Sequence, residues 1–98
     1  MQHVIKRDNR KQLFDLNRIN KSIEGAFKCA RPLEDASTVE SITASVVEKL
    51  NNLTGDTVTT KKIRSVVSTV LKENNYADVD YEYGMYIGTA SMSMLLNR

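Results

Sequence analysis

The sequence predicts a mainly α-helical domain with a small β-hairpin, an α+β fold in which the N-terminal hairpin lies over a four-helix bundle. Its 98 residues are 41 % hydrophobic, which is enough for one modest core. Alternating residues near the N-terminus favour two short strands, and later stretches repeat apolar residues every three or four positions. Gly and Pro are scarce, so a disordered or fibrous chain is not expected.

The segment "HVIKRDNRKQLFD" has the alternation and the turn chemistry of a hairpin over residues 3–14. Residues 3–7 and 11–14 are predicted to be antiparallel strands, joined by a turn in which Asn9 tolerates a positive φ. An isolated hairpin is marginal in water, so this one must pack on an apolar surface, which we expect to be one end of the helices. The cationic side chains of the segment include Lys6, Arg7, Arg10 and Lys11.

Apolar periodicity predicts four helices, at about residues 16–30, 36–53, 60–73 and 78–95. Pro32 separates the first two helices, and Gly55 is predicted to end the second as a left-handed C-cap. Leu16 and Leu53 are assigned to the apolar stripes of the first and second helices. The predicted N-caps are Asp15, Asp35 or Ser37, Thr59 or Thr60, and Asp78.

Cysteine and histidine are too few for a metal site or a catalytic cluster. Cys29 is the only cysteine, and its place in the first predicted helix favours a buried small hydrophobic residue. His3 is the only histidine, so neither a Ser–His–Asp set nor a histidine metal site is predicted. The sequence contains no apolar run near the ~20 residues of a membrane span and no signal-peptide core, so a cytoplasmic protein is expected.

The net charge of the chain is only +2, so any preference for anions must come from where the positive side chains are placed. Besides the hairpin, Lys61, Lys62 and Arg64 occupy the first turns of the third predicted helix, where they repel its positive end. That placement is explained if a polyanion such as polyphosphate binds nearby, or the side chains are ordinary solvated surface charges. No Gly-rich phosphate loop is present, so neither a P-loop nor a dinucleotide-binding fold is indicated.

The stretch "VIKRDNRKQLFDLNRINKSIEGAF" resembles the ATP-cone domain, which stands at the N-terminus of many ribonucleotide reductases. Later segments, "VTTKKIRSVVSTVL" and "NNYADVDYEYGMYI", are similar to the third helix and the closing helix of that family. Two positions depart from the family pattern: Asn9 replaces a glycine in the hairpin turn, and Ile87 stands where an arginine is usual. The positions that carry the likeness are Val4, Lys6, Arg7, Asp8, Phe14, Arg18, Ile19, Ile23, Ala26 and Phe27.

The resemblance implies an allosteric site for ATP or dATP, with Mg²⁺, beneath the hairpin. In this likeness Val4 and Ile19 sandwich the adenine, while Lys6 and Arg7 hold the phosphates. Phe14 lies beside the base, and Arg18 lies near the ribose or the phosphates. The remaining implied contacts, to the base, the sugar, a phosphate or a second nucleotide, are made by Gln12, Asp15, Thr60 and Arg64.

The resemblance further implies a single ATP-cone domain over residues 1–98, without catalytic residues of its own. Such a domain controls a ribonucleotide reductase through nucleotide-dependent oligomerisation, either as the N-terminal part of the enzyme or as a free-standing chain. The start of the sequence looks most similar to the anaerobic ribonucleoside-triphosphate reductases. We expect the partner, a reductase catalytic domain or subunit, to contact the fourth helix near "SMSMLL", residues 91–96.

Two other functions are compatible with the residues taken by themselves. One is a small helical DNA-binding protein whose third helix reads DNA while "KKIRS" contacts the phosphates. The other is a helical protein-interaction module whose basic residues only keep it soluble. Binding of ATP and dATP distinguishes these functions from a nucleotide-controlled domain.

Overall fold

The computed structural model describes residues 3–5 and 10–85. It confirms the mainly α-helical fold with a small N-terminal sheet. Its elements are β1 (His3–Ile5), β2 (Lys11–Leu13), α1 (Leu16–Ala30), α2 (Ala36–Leu53), β3 (Thr57–Thr59), α3 (Thr60–Glu73) and α4, described over residues 77–85. The predicted hairpin turn, the end of the fourth predicted helix and the predicted partner segment at residues 91–96 lie outside the described residues.

The sheet has three strands rather than the predicted two, in the order β2-β1-β3. β1 pairs antiparallel with β2, where Val4 lies opposite Gln12, and parallel with β3, where Val4 lies opposite Val58. A three-residue strand carries too little alternation to be detected, and its partner lies more than fifty residues away. β3 leads directly into α3, so the sheet fixes where α3 begins.

The core is built from the apolar stripes of all four helices together with β1 and β3. Val4 and Val58 are 9 % and 3 % exposed, so the sheet closes one end of the helical core as the sequence predicts. Within the core, Thr43 donates its hydroxyl proton towards the carbonyl oxygen of Val39 at 2.9 Å, which satisfies a buried polar group. The largest fully buried side chains are Ile23, Val46, Leu50, Val67, Val70, Leu71 and Val79.

Side-chain caps start the first three helices, as the sequence predicts. The Asp15 carboxylate accepts a hydrogen bond from the backbone N–H of Asn17 at 3.0 Å. Asp35 caps α2, and hydrogen bonds from the Ser37 hydroxyl and then from the first-turn amides lower the pKa of its carboxyl. Thr59 caps α3 by accepting from the N–H of Lys62 at 3.1 Å.

The turn between α3 and α4 is a Schellman motif. Asn75 adopts a φ of 66°, in the left-handed region that asparagine tolerates better than most residues. The N–H of Tyr76 donates to the carbonyl of Leu71 at 2.8 Å, and that of Asn75 donates to Lys72 at 3.1 Å. Asp78 is therefore not the N-cap of α4, because the helix already begins at residue 77 and the carboxylate turns to Arg31 instead.

Four further expectations about single residues are wrong. Gly55 has no positive φ, because α2 ends at Leu53 and the chain leaves it extended through Thr54 towards β3. Cys29 is exposed, since it lies two residues after the buried Phe27 and therefore about 200° around α1. Leu53, 60 % exposed, lies on the last turn of α2, and Leu16, 48 % exposed, begins α1.

Candidate functional site

A small cavity of about 90 Å³ lies where the hairpin meets the first turns of α1 and α3. Of the predicted site residues that the structure describes, all except Arg64 line it. The fold thus brings together residues from three separate parts of the chain, while their role in binding stays a prediction. The lining residues are Val4, Gln12, Leu13, Phe14, Asp15, Arg18, Ile19, Thr60 and Ile63.

Lys6 and Arg7 lie outside the described residues, in the hairpin between β1 and β2. Arg64 lines a neighbouring groove instead of the cavity. Ile63 and Leu13 also line the cavity, although neither is among the site residues predicted from the sequence. Their place at the cavity follows from the docking of the hairpin onto α3, which has no local sequence signal.

The inner wall of the cavity is apolar. Val4 and Ile19 are 9 % and 8 % exposed and belong to the hydrophobic core, and the half-buried Phe14 packs against that core. Gln12 and Thr60 add an amide and a hydroxyl, which can both donate and accept hydrogen bonds. Such a wall suits a flat, mostly apolar ring with polar groups at its edge.

Two helices begin at this cavity. Their first turns carry backbone N–H groups without partners inside the helix and the positive end of the helix dipole, both of which attract anions. Arg18, in the first turn of α1, lies with its Nε 3.8 Å from the Asp15 carboxylate. Both side chains of this pair are more than half exposed, so solvent screens it and the guanidinium remains accessible to a ligand.

Thr60 connects the hairpin to α3. Its hydroxyl donates to the carbonyl oxygen of Ile5 at 3.4 Å, across a sequence separation of 55 residues. Because Thr59 directly before it caps the helix, the start of α3 is held by both the sheet and its own cap. Thr60 lines both the cavity and the groove beside it, so the two share one residue.

We call the space between α3 and residues 80–85 the α3–α4 groove, which has a volume of about 790 Å³. Arg64 and Lys61 supply its positive charge, and Asp80 its negative charge. Burial of Tyr83 in its wall raises the pKa of this phenol to about 12, an effect that Arg64 opposes and Asp80 reinforces. The apolar spacing of the sequence does not predict that Asp80 and Tyr83 face Arg64.

Neither a metal cluster nor a membrane span is found in the part of the chain that the structure describes. Within residues 3–5 and 10–85, no three His, Cys, Asp or Glu side chains come close enough together to hold a metal ion. No helix within the same ranges is long and apolar enough to cross a bilayer.

The fold is a small, mainly helical domain whose hairpin cavity has an apolar inner wall and lies beside the first turns of two helices. The sequence matches the ATP cone domain family over residues 2–86, and the chain belongs to this family of nucleotide-binding regulatory domains. The resemblance seen in the sequence is thereby confirmed.

Two relatives are named ribonucleoside-diphosphate reductase subunit alpha. The protein from Chlamydia trachomatis is 33 % identical over 93 residues, which cover 85 % of this chain. The protein from Chlamydia muridarum is 32 % identical over 93 residues and the same share of this chain. The match spans only 9 % of the length of either relative. Both are named diphosphate reductases, and the class of reductase associated with this chain stays a prediction.

Proposed function

We propose that this domain binds ATP or dATP at the hairpin cavity and regulates a ribonucleotide reductase. The observation that supports it best is the apolar wall formed by Val4 and Ile19, which lies between two helix N-termini and next to the cationic hairpin. The adenine would lie between these two side chains with Phe14 beside it. Gln12, Asp15 and Thr60 would meet the edge of the base or the ribose.

The phosphates would extend to the cationic side of the cavity, towards Lys6, Arg7 and Arg18. A triphosphate carries several negative charges, and salt screens charges beyond about 8–10 Å, so only nearby cations can hold it. Each charge-assisted hydrogen bond would contribute about 1.5–3 kcal/mol where it is partly shielded from water. Mg²⁺ would arrive with the nucleotide, bound to phosphate oxygens.

The cavity must enlarge to accept a nucleotide. Its volume of about 90 Å³ is well below the ~300–1,000 Å³ of small-molecule pockets. The hairpin can yield this space, since each of its strands has three residues and β2 is the outer strand of the sheet. We therefore propose that the hairpin acts as a lid that moves away from Ile19 as the base enters.

Regulation requires that ATP and dATP stabilise different states of the protein. The two nucleotides differ by one ribose hydroxyl, so a difference in their effect must come from contacts that one state makes and the other does not. We propose that these states differ in oligomeric assembly with a reductase catalytic domain or subunit, ATP permitting activity and dATP stopping it. Arg64, in the α3–α4 groove, would contact a phosphate or a second nucleotide.

Isothermal titration calorimetry with ATP and with dATP, each with Mg²⁺, tests the binding site. We expect saturable binding in the micromolar range that Arg18→Gln weakens about tenfold, through loss of one charge-assisted contact. Lys21→Gln is the matched control, because it removes the same charge from an exposed position of α1 that does not line the cavity. Its affinity should stay within about twofold of the wild type.

The same titrations can contradict the proposal. Lys6→Ala and Arg7→Ala should each weaken nucleotide binding. Unchanged affinity in both variants would show that these two side chains do not hold the phosphates. Binding to duplex DNA alone, with a steep salt dependence, would favour the DNA-binding alternative. Binding to neither ligand would favour a protein-interaction module. Sedimentation of the chain with each nucleotide then tests whether ATP and dATP change its oligomeric state.

A further inference from the structure

Arg31, the residue directly after α1, holds the turn that precedes α4. Its Nε–H donates to Asp78 Oδ2 at 2.9 Å, and its Nη2 donates to Asp78 Oδ1 at 3.3 Å. The same Nη2 lies 3.3 Å from the carbonyl oxygen of Asn75, the residue with the left-handed backbone. One guanidinium therefore grips both a side chain and the backbone of the α3–α4 turn, 44 to 47 residues away in sequence.

Aromatic contacts fix this guanidinium from a second side. The Cζ of Arg31 lies 4.6 Å from the centre of the Tyr76 ring, within the range of a cation–π interaction. Tyr76 in turn meets the buried ring of Phe27 edge-on, with centroids 5.0 Å apart. The planar group of an arginine can fork to a carboxylate and stack on a ring at the same time, which a lysine cannot do.

The described part of α4 has a narrow attachment to the core. Val79 and Tyr83 are buried, whereas Tyr81 and Met85, on the same helix, are 66 % and 54 % exposed. A second charged contact of its first turns is local, an ion pair of 3.7 Å between Asp80 and Lys72 at the end of α3. The contacts of Arg31 are thus well placed to decide how α4 lies relative to α1.

The position of α4 matters because residues 80–85 form one wall of the α3–α4 groove. α1 has 15 residues and spans about 22 Å, with Arg18 and Ile19 at the cavity near one end and Arg31 directly after the other. A shift of α1 at the cavity would therefore be transmitted to the start of α4 through Arg31, as a rigid element can do.

We propose that Arg31 is a positioning residue that latches the first turn of α4 to the end of α1 and thereby sets the α4 wall of the α3–α4 groove. Through α1, this latch links the groove to the hairpin cavity. The link to the cavity rests on the proposed function, whereas the latch itself does not.

Hydrogen-exchange mass spectrometry of the full chain tests the latch without nucleotide. Arg31→Gln and Asp78→Asn should each speed exchange in residues 77–85 by about three- to tenfold and leave the exchange of α2 unchanged. Arg31→Lys, which keeps the charge but loses the fork and the stacking, should give an intermediate rate. Lys28→Gln is the matched control, since its ion pair with Glu24 is local to α1, and it should exchange like the wild type.

Saturating ATP then tests the link to the cavity. Nucleotide should change the exchange of residues 77–85 in the wild type, and Arg31→Gln should lose most of that change while its Kd for ATP stays within about threefold. If residues 77–85 of Arg31→Gln exchange at the wild-type rate without nucleotide, the proposed latch is wrong. A full ATP response in that variant, or none in a wild type that binds ATP, would overturn the link. If the wild type does not bind ATP, the proposed function fails, and the nucleotide-free rates still decide the latch.

Discussion

The phenol of Tyr83 shows how a single buried side chain changes its acid–base chemistry. It is 5 % exposed, and burial raises its pKa to about 12 because the charged phenolate would lose its hydration. A raised pKa means that the folded protein holds this proton more tightly than the unfolded chain, whose tyrosines titrate near pH 10. Stability from this group is complete below about pH 10 and is lost as the pH rises towards 12.

Tyr83→Phe should therefore make the free energy of unfolding depend less on pH above about pH 10. The wild type should lose about 2–3 kcal/mol between pH 10 and pH 12 through this group, and the variant should not. Urea unfolding at a series of pH values measures the difference. Tyr81→Phe removes a phenol that is 66 % exposed on the same helix, and it should keep the wild-type profile. Equal slopes for both variants would contradict the assignment.

Helix α3 shows how local signals combine within one element. Its sequence "TKKIRSVVSTVLKE" contains many β-branched residues, which lower helix propensity, but the buried positions Val66, Val67, Val70 and Leu71 recur at helical spacing. Burial of this stripe outweighs propensity, as tertiary packing usually does. The cap at Thr59 then fixes the first turn at the point where β3 ends.

Thr59→Ala should destabilise the protein by about 1 kcal/mol, because the N–H of Lys62 loses its side-chain partner. Thr69→Ala is the matched control within the same helix. The Thr69 hydroxyl only bonds back to the carbonyl of Ser65, and alanine is the better helix former at an exposed position, so its stability should be equal or slightly higher. Urea unfolding midpoints measure both changes, and equal losses would show that the cap is not the cause.

At the scale of the whole molecule, one core joins the four helices and the sheet. Leu50 is fully buried in α2, whereas Leu53, one turn later, is 60 % exposed because the helix leaves the core before it ends. The two leucines look equivalent in the sequence pattern, since both follow the apolar spacing. Which of the two leucines is buried depends on how far the elements packed against α2 extend along that helix.

Leu50→Ala should lower the free energy of unfolding by about 2–5 kcal/mol, the range for leucines truncated in a packed core. Leu53→Ala should change it by less than about 0.5 kcal/mol. Both values follow from urea unfolding monitored by circular dichroism. A large loss in Leu53→Ala would mean that its side chain is covered in solution.

Acid should destabilise the whole fold through Asp35 and Asp78. Hydrogen bonds from Ser37 and Thr38 lower the pKa of Asp35, and the Arg31 guanidinium lowers that of Asp78. A folded pKa below the unfolded value of about 3.9 gives stability that is present above that pH and lost as the pH falls through the folded pKa. The denaturant concentration at the unfolding midpoint should therefore decrease as the pH is lowered from about 5 to about 2.

Asp35→Asn separates titration from capping, because asparagine caps a helix nearly as well but carries no carboxyl proton. Its unfolding midpoint should depend less on pH below pH 5 than that of the wild type. Asp78→Asn should also weaken the acid dependence, with a loss at neutral pH from the broken contact with Arg31. An unchanged acid slope in both variants would show that other carboxylates govern the transition.

The amino-acid sequence by itself determined the three complete helices, their caps, the hairpin strands and the family of the domain. These features depend on residues close together in the chain: apolar spacing of three and four, a capping oxygen two or three residues from its N–H, and a contiguous motif. The site residues Val4, Phe14 and Ile19 belong to that motif, so they could be named before the fold was known, although their binding role stays a prediction.

Only the tertiary structure decided the third strand, the exposure of Cys29, and the places of Arg64 and Arg31. β3 has three residues and forms because it pairs with β1. Arg31 donates a hydrogen bond to Asp78, which lies 47 residues later in the chain. Cys29 and Leu53 lie on exposed parts of α1 and α2. Such contacts join segments far apart in the chain, so their free energy depends on how the helices pack together, which local spacing does not encode.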